Sequence, residues 1–135
     1  MFKQITMNQD KKIKVLIIED DSYISDMYRI KLELENFEVL IAKDGIIGIE
    51  MMKKQKPDIV LLDIVMPKVD GFSVLKKIKK NIELKEIPVV FLTNLGQKEN
   101  VERGFELGAN SYIIKAHFTP SEVVEKIKGI LKKGV

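Results

Sequence analysis

Ile59-Val60-Leu61-Leu62, followed directly by Asp63, is the stretch that decides the fold. Four consecutive aliphatic residues without polar alternation are typical of a parallel-sheet strand that is buried on both faces. Three other short runs share this character: Val15 to Ile18, Val89 to Leu92, and Tyr112 to Ile114. A fifth run, Phe37 to Ile41, is interrupted by Glu38 and fits an edge strand better. The sequence therefore predicts five strands.

Apolar residues at helical spacing separate these runs. Steps of four, three and four predict a first helix from the stripe Tyr23, Met27, Ile30 and Leu34. A last helix is predicted by Val123, Val124, Ile127, Ile130 and Leu131. The Lys-rich stretch 76–80 lies at helical spacing opposite Leu75, Ile78 and Ile82. Val101 and Phe105 indicate a weaker helix, because Gly104 inside it costs up to about 1 kcal/mol relative to alanine.

Residues at the predicted helix ends agree with this pattern. Asp21 or Ser22 can cap the first helix, and Gly108 can end the fourth in a left-handed conformation. Thr119-Pro120 supplies a cap followed by proline at the first helical position. The chain thus reads as β-α repeated five times, and right-handed crossovers turn such a chain into a doubly wound α/β fold.

The bulk composition is that of one globular domain. With 135 residues, 45% of them hydrophobic and 32% charged, the chain can bury a core, so disorder is not expected. We expect a polar lead-in over residues 1–12, a single domain over 13–133 and no output domain. No apolar run approaches the length of a membrane span, and the start lacks a signal-peptide core, which favours a cytoplasmic protein. Cysteine is absent, which excludes disulfides and thiolate metal sites.

The charge distribution does not favour nucleic acid as a direct partner. The net charge is only +3, from 23 basic against 20 acidic residues. The lysines of stretch 76–80 carry no interleaved aromatic residues, so a solvated helix face explains them better than a nucleic-acid patch.

Polar residues follow the strands at the edge where open α/β sheets bind ligands. Strand one ends in Glu19-Asp20-Asp21, strand three in Asp63, strand four in Thr93 and strand five in Lys115. Each has an ordinary structural explanation when taken singly, such as a helix cap, a turn residue or a lysine reaching solvent. Their joint placement on one edge favours a common site.

The chemistry of this set is that of phosphoryl transfer. Carboxylates held close together raise one another's pKa unless a cation lies among them, and Mg²⁺ prefers such oxygen ligands. An ammonium group opposite them suits a phosphoryl group. A carboxylate nucleophile beside a divalent cation, a lysine and a threonine hydroxyl could form an aspartyl phosphate.

Four segments of the sequence closely resemble response-regulator receiver domains. They are Val15-Leu-Ile-Ile-Glu-Asp-Asp21, Asp58-Ile-Val-Leu-Leu-Asp-Ile-Val-Met-Pro-Lys-Val-Asp-Gly71, Pro88-Val-Val-Phe-Leu-Thr93 and Gly108-Ala-Asn-Ser-Tyr-Ile-Ile-Lys115. The resemblance covers about residues 13 to 132. It implies a flavodoxin-like five-stranded parallel sheet in the order 2-1-3-4-5.

The resemblance also implies a role for each site residue. Asp63 matches the phosphoacceptor, while Thr93 and Lys115 match the pair that contacts the phosphoryl oxygens. The implied Mg²⁺ (or Mn²⁺) ligands are the carboxylates of Asp20 and Asp63, the backbone carbonyl of Val65 and, through water, Glu19. Tyr112 matches the aromatic residue whose position follows that of the threonine. Met66-Pro67 and Asp70-Gly71 match the loop after the third strand.

By this resemblance the domain takes a phosphoryl group from a phosphohistidine of a sensor histidine kinase or a histidine phosphotransfer domain. Phosphorylation then shifts the face formed by the fourth helix, fifth strand and fifth helix, and the output is contact with an unknown protein or homodimerisation. The alternative within the family is a shuttle in a phosphorelay. A phosphatase-like or dehalogenase-like hydrolase is the alternative from another class. Those enzymes place a second aspartate where this chain has Val65.

One segment departs from the family pattern. The family usually has Lys-Pro with a cis bond after the fifth strand, whereas here Ala116 follows Lys115. A cis bond before a residue other than proline costs roughly 2.5–4 kcal/mol, so we expect a trans Lys115–Ala116 bond. Two apolar residues, Val65 and Leu95, stand where attacking water would approach an aspartyl phosphate in this family. Two interpretations stay open: these residues only pack a loop, or they crowd out the water and give a long-lived phosphorylated state.

Overall fold

The computed structural model describes residues 11–134 and forms a five-stranded parallel sheet covered by helices on both faces. Residues 1–10 of the predicted lead-in lie outside the described part. The strands are β1 (Lys14–Ile18), β2 (Glu38–Ala42), β3 (Ile59–Leu62), β4 (Val89–Thr93) and β5 (Ser111–Ile114). Their order in the sheet is β2-β1-β3-β4-β5, which confirms the predicted fold and the edge position of β2.

Five α-helices connect and follow the strands. They are α1 (Ser22–Leu34), α2 (Gly45–Gln55), α3 (Gly71–Lys80), α4 (Lys98–Glu106) and α5 (Pro120–Gly134). Asp21 caps α1, Gly108 follows α4 with φ +107°, and Thr119 exchanges two hydrogen bonds with Glu122 at the start of α5. These helix ends are the predicted ones. None of the helices in the described part is long and apolar enough to cross a bilayer.

The core consists of two apolar layers, one on each face of the sheet. Because side chains alternate along a strand, β1 sends Leu16 and Ile18 into one layer and Val15 and Ile17 into the other. Helices α2 and α3 cover the first layer, and α1 and α5 cover the second. Strands β1, β3 and β4 are therefore buried on both faces, as their uninterrupted apolar sequences predict.

The first helix exists, but the stripe that predicts it faces solvent. Tyr23 is 82% exposed and Leu34 73%, and Met27 and Ile30 are also exposed. The buried positions of α1 are Ser25, Tyr28 and Leu32. The helix carries two stripes at the same period, and the one that includes a serine and a tyrosine packs against the sheet.

Two other apolar residues also lie outside the core. Helix α3 ends at Lys80, so Ile82 is not on its buried face and is 80% exposed. In α4 the inward position is occupied by Gly104, whereas Phe105 is half exposed. A Cβ at Gly104 would lie 3.0 Å from the Tyr112 ring and 3.1 Å from the Phe91 ring. The glycine therefore lets α4 approach the sheet closely.

Candidate functional site

The acidic residues predicted for the site converge at the carboxyl edge of the sheet. Glu19 directly follows β1 and Asp63 directly follows β3, two strands paired in parallel with Ile18 opposite Leu62. Glu19 is 4% exposed and Asp63 8%, whereas Asp20 is open to solvent. One carboxylate oxygen from each of the three lies within 4.8 Å of the others. The register of the strands thus creates a compact acidic cluster.

Lys115 reaches this cluster from β5, the strand at one edge of the sheet. It follows β5, which is separated from β3 by β4, so its side chain extends across the end of β4 toward the acidic residues. Its Nζ donates to Glu19 Oε1 at 2.6 Å and to Asp63 Oδ2 at 3.5 Å. The ammonium group is mostly buried between the two carboxylates.

Burial and neighbouring charges shift the pKa values of two groups in this cluster. Burial raises the pKa of the Glu19 carboxyl, and although the hydrogen bond from Lys115 opposes this shift, the charge of Asp63 adds to it. Burial alone would lower the pKa of Lys115, but its hydrogen bond to Glu19 and the charge of Asp63 raise it. Both pKa shifts stabilise the protonated form, mainly through burial for Glu19 and through the neighbouring carboxylates for Lys115.

Thr93 and Tyr112 are linked through Leu95. Thr93 ends β4 with a buried side chain, and its Oγ1 accepts a hydrogen bond from the Leu95 backbone N–H at 3.2 Å. The Tyr112 hydroxyl donates to the Leu95 carbonyl. The Tyr112 ring also packs on Phe91, with 5.6 Å between ring centroids. A movement of the loop after β4 would therefore change the hydrogen bonds of both Thr93 and Tyr112.

The loop after β3 folds back over the acceptor position. The Ile64 N–H donates to Asp63 Oδ1 at 2.7 Å, and the Gly71 N–H donates to the Ile64 carbonyl at 2.8 Å. A Cβ at Gly71 would lie 2.3 Å from the Asp63 carbonyl oxygen, so only glycine permits this approach. Asp70 caps α3 by accepting from Ser73 N–H. Asp70 and Gly71, two of the predicted loop residues, thus keep the start of α3 close to the backbone of Asp63.

An open pocket of about 440 Å³ lies at this edge and contains every predicted site residue except Tyr112. Its lining includes Glu19, Asp20, Asp63, Val65, Thr93, Leu95 and Lys115. A larger and more apolar pocket of about 620 Å³ lies at the opposite edge, where Ile13, Phe37 and Leu131 contribute to its lining. Among the described residues, the group of carboxylates placed so that they could hold a metal ion lines the pocket of about 440 Å³.

The peptide bond between Lys115 and Ala116 is trans, as predicted, since residues 11–134 contain no cis bond. Residues Lys115–His117 instead form one 3₁₀ turn. The Ala116 N–H donates to Asn94 Oδ1 at 3.0 Å. Sequence reasoning did not single out Asn94, although its position directly after Thr93 and the N–H that alanine provides in place of proline were visible in the sequence.

A second feature near the site also escaped the sequence analysis. Lys68, in the loop after β3, has φ +70°, a conformation that favours glycine. Its Nζ lies 3.4 Å from Asp44 Oδ2, beyond the end of β2. Backbone N–H donation from Ile47, with a contribution from Lys68, lowers the pKa of Asp44. No local sequence pattern connects residues so distant along the chain.

The comparisons with known proteins all point to the same family. Residues 15–128 match the family model of the response regulator receiver domain. The chain is 38% identical over 120 residues to the DNA-binding dual master transcriptional regulator RpaA of Synechocystis, covering 89% of this chain and 49% of that protein. It spans about half the length of the curated relatives that it matches.

Solved structures of similar proteins share the fold. A CheY-like response regulator receiver domain protein from Methanospirillum hungatei superposes with a TM-score of 0.84 at 29% identity, covering 92% of this chain and 97% of that chain. The Mn²⁺-bound form of response regulator Rcp1 gives a TM-score of 0.75 at 31% identity, with coverage of 87% and 91%.

Proposed function

Because this chain belongs to the response regulator receiver domain family, we propose that Asp63 accepts a phosphoryl group in a Mg²⁺-dependent reaction. The observation that supports this most directly is the placement of Asp63 between an acidic cluster and an ammonium group. Its carboxylate lies within 4.8 Å of ligand atoms of Glu19 and Asp20, and its Oδ2 lies 3.5 Å from Lys115 Nζ.

The donor set fits a hard divalent cation. Three carboxylates converge with one lysine among the described residues, and burial, with a smaller contribution from the charge of Asp63, raises the pKa of Glu19. Asp20, Asp63 and the Val65 backbone carbonyl would hold Mg²⁺ or Mn²⁺, and Glu19 would contribute through water. The bound ion would supply charge neutralisation for the phosphoryl oxygens.

The reaction follows from the positions of the side chains. An Asp63 carboxylate oxygen attacks phosphorus and forms an O–P bond while the N–P bond of a phosphohistidine breaks, and the leaving imidazole takes up a proton. Lys115 neutralises the charge on the transferred oxygens. The Thr93 hydroxyl already accepts from Leu95, so its proton is available to donate to a phosphoryl oxygen.

The output is a change of surface rather than a second reaction. Movement of Thr93 toward the phosphoryl group would carry Leu95, whose carbonyl accepts from Tyr112. Tyr112 packs beneath α4, so the face formed by α4, β5 and α5 would shift in population between two states. In this proposal the domain works in the cytoplasm as a switch and not as a turnover enzyme. A histidine kinase or a histidine phosphotransfer domain supplies the phosphoryl group.

The test uses acetyl phosphate and Mg²⁺ with intact-mass detection. We expect the wild-type chain to gain one phosphoryl mass, Asp63→Asn to gain none, and EDTA to prevent the reaction. Asp58→Asn is the matched control, because Asp58 flanks the other end of the same strand. Unchanged labelling of Asp63→Asn would overturn the assignment.

The same protein distinguishes the alternatives. Sustained turnover of p-nitrophenyl phosphate would indicate a hydrolase, whereas a receiver should show none. Transfer from phosphorylated Asp63 to a second histidine domain would indicate a phosphorelay shuttle. Dimerisation on phosphorylation, measured by sedimentation, would show that the output includes a second copy of the chain.

A further inference from the structure

One hydrogen bond joins the residues that directly follow Thr93 and Lys115. The Ala116 N–H donates to Asn94 Oδ1 at 3.0 Å, and these residues come directly after Lys115 and Thr93, respectively. Strands β4 and β5 are paired in parallel with Thr93 opposite Ile114, so the two loops leave the sheet side by side. The bond therefore connects the loops that carry the hydroxyl and the ammonium group of the site.

This bond is not needed to satisfy a buried donor. Asn94 and Ala116 are both exposed, so water could replace either partner at little cost. Its effect is to connect the loop after β4 with the turn after β5. Among residues 11–134, no other hydrogen bond links the backbone of the turn Lys115–His117 to the loop after β4.

Lys115 depends on the position of this turn. Its flexible side chain must cross the end of β4 to reach Glu19 and Asp63, and its backbone has just left the edge strand of the sheet. The turn ends with a long Phe118 N–H to Lys115 carbonyl contact of 3.4 Å. The hydrogen bond from Ala116 to Asn94 therefore limits how far the backbone of Lys115 can move.

We propose that Asn94 is a positioning residue that fixes Lys115 relative to Thr93, so that the two groups facing the phosphoryl oxygens move together. This inference rests on the proposed phosphoryl transfer for its consequence, but not for its geometry. Asn94 also lines both the phosphoacceptor pocket and the neighbouring groove between α1 and the loop before α5. Preorganised placement of charged groups is where such reactions gain most of their rate.

The chain offers a matched control for a merely structural role. Asn110 Oδ1 accepts the Val89 N–H at 3.0 Å, at the opposite end of β4. Both bonds join an asparagine side chain to a backbone N–H at equal length and across nearly equal sequence separations, of 22 and 21 positions. Asn110→Ala thus removes a bond of the same type and length, in a less exposed place far from Lys115.

The structural arm of the test uses the unphosphorylated protein. Asn94→Ala should shift the ¹⁵N resonance of Lys115 Nζ and accelerate amide exchange of Ala116, by about tenfold for a typical hydrogen bond. Asn94→Asp retains an acceptor oxygen and should restore slow exchange. Asn110→Ala should leave both readouts unchanged. If Asn94→Ala alters neither readout, or if Asn110→Ala alters both equally, the positioning role is overturned.

The functional arm measures the labelling rate with acetyl phosphate at saturating Mg²⁺. Asn94→Ala should react roughly threefold to tenfold more slowly than the wild type, and Asn110→Ala at the wild-type rate. Equal rates for wild type and Asn94→Ala would overturn the inference while leaving the role of Asp63 intact. A wild-type chain that is not labelled at all would overturn the proposed function, and the resonance of Lys115 would then decide the positioning role by itself.

Discussion

At the amino ends of the strands, two side chains accept the first backbone N–H groups of β1 and β4, whereas at the carboxyl ends the residues after β1 and β3 are held by backbone bonds to neighbouring strands. Asp58 Oδ2 accepts the Lys14 N–H at 2.7 Å, and Asn110 Oδ1 accepts the Val89 N–H at 3.0 Å. At the other edge, the Asp63 N–H donates to the Ile18 carbonyl at 3.1 Å and the Glu19 N–H to the Ala42 carbonyl at 3.0 Å.

This difference bears on what the carboxylates at each edge can do. A carboxylate that accepts from a strand end, as Asp58 does, is committed to holding the fold. Glu19 and Asp63 each accept one nearby backbone N–H, but the second oxygen of each carboxylate faces Lys115. Both residues also line the site pocket, where they can meet a ligand.

The largest difference between the edges should appear on removal of one carboxylate from each. Asp20→Ala removes a proposed metal ligand and should slow Mg²⁺-dependent labelling by about 100-fold or more. Asp58→Ala should leave labelling unchanged and lower the free energy of unfolding by about 1 kcal/mol, because it removes one hydrogen bond. Labelling rates and urea denaturation of the same preparations provide both measurements. Equal labelling of the two variants would contradict the division between the edges.

Two glycine substitutions compare the packed loop at the carboxyl edge with an open helix surface, through the free energy of unfolding. Gly71→Ala places a Cβ 2.3 Å from the Asp63 carbonyl oxygen and 2.7 Å from Ile64 Cα, and backbone atoms cannot move aside easily. We expect a loss of about 2 kcal/mol in the free energy of unfolding. Gly129→Ala, on α5 with nothing within 4 Å, should instead gain up to about 1 kcal/mol. Chemical denaturation measures both changes. Destabilisation by Gly129→Ala would contradict the finding that an added Cβ has free space at that position.

The smallest effect concerns the lifetime of the phosphorylated state. Val65 is 66% exposed at the mouth of the site pocket, whereas Leu95 is partly buried against the core. Polar groups at these positions could orient an attacking water, so Val65→Asn with Leu95→Glu should accelerate phosphate release up to about tenfold, or 1.4 kcal/mol of barrier. Release from purified phosphoprotein is followed over time. No acceleration in the double variant would mean that these residues do not set the lifetime.

The strands and the site edge were predictable because their signals are local. Each buried strand is a continuous apolar run, and the residue after it marks the carboxyl edge, so Glu19, Asp63, Thr93 and Lys115 could be assembled from sequence. The strand pairing then brings them together without further information. The helix caps at Asp21 and Thr119 carried equally local signals.

Which side of a helix is buried could not be read from the sequence in the same way. On α1, the stripe through Tyr23 and Ile30 and the stripe through Tyr28 and Leu32 have the same period, and only the sheet decides between them. Contacts between loops were likewise hidden. The Asn94–Ala116 bond and the Lys68–Asp44 pair join residues that no helix or strand pattern relates.

The bond between Lys115 and Glu19 spans 96 positions of the chain, and β5, which delivers the lysine, pairs only with β4. Any amino-terminal fragment that ends before β5 would hold the acidic cluster without its ammonium group. Synthesis on the ribosome therefore supplies the carboxylates of Glu19 and Asp63 well before the lysine that neutralises them. The acceptor obtains its cation only once β5 has been made and has paired with β4.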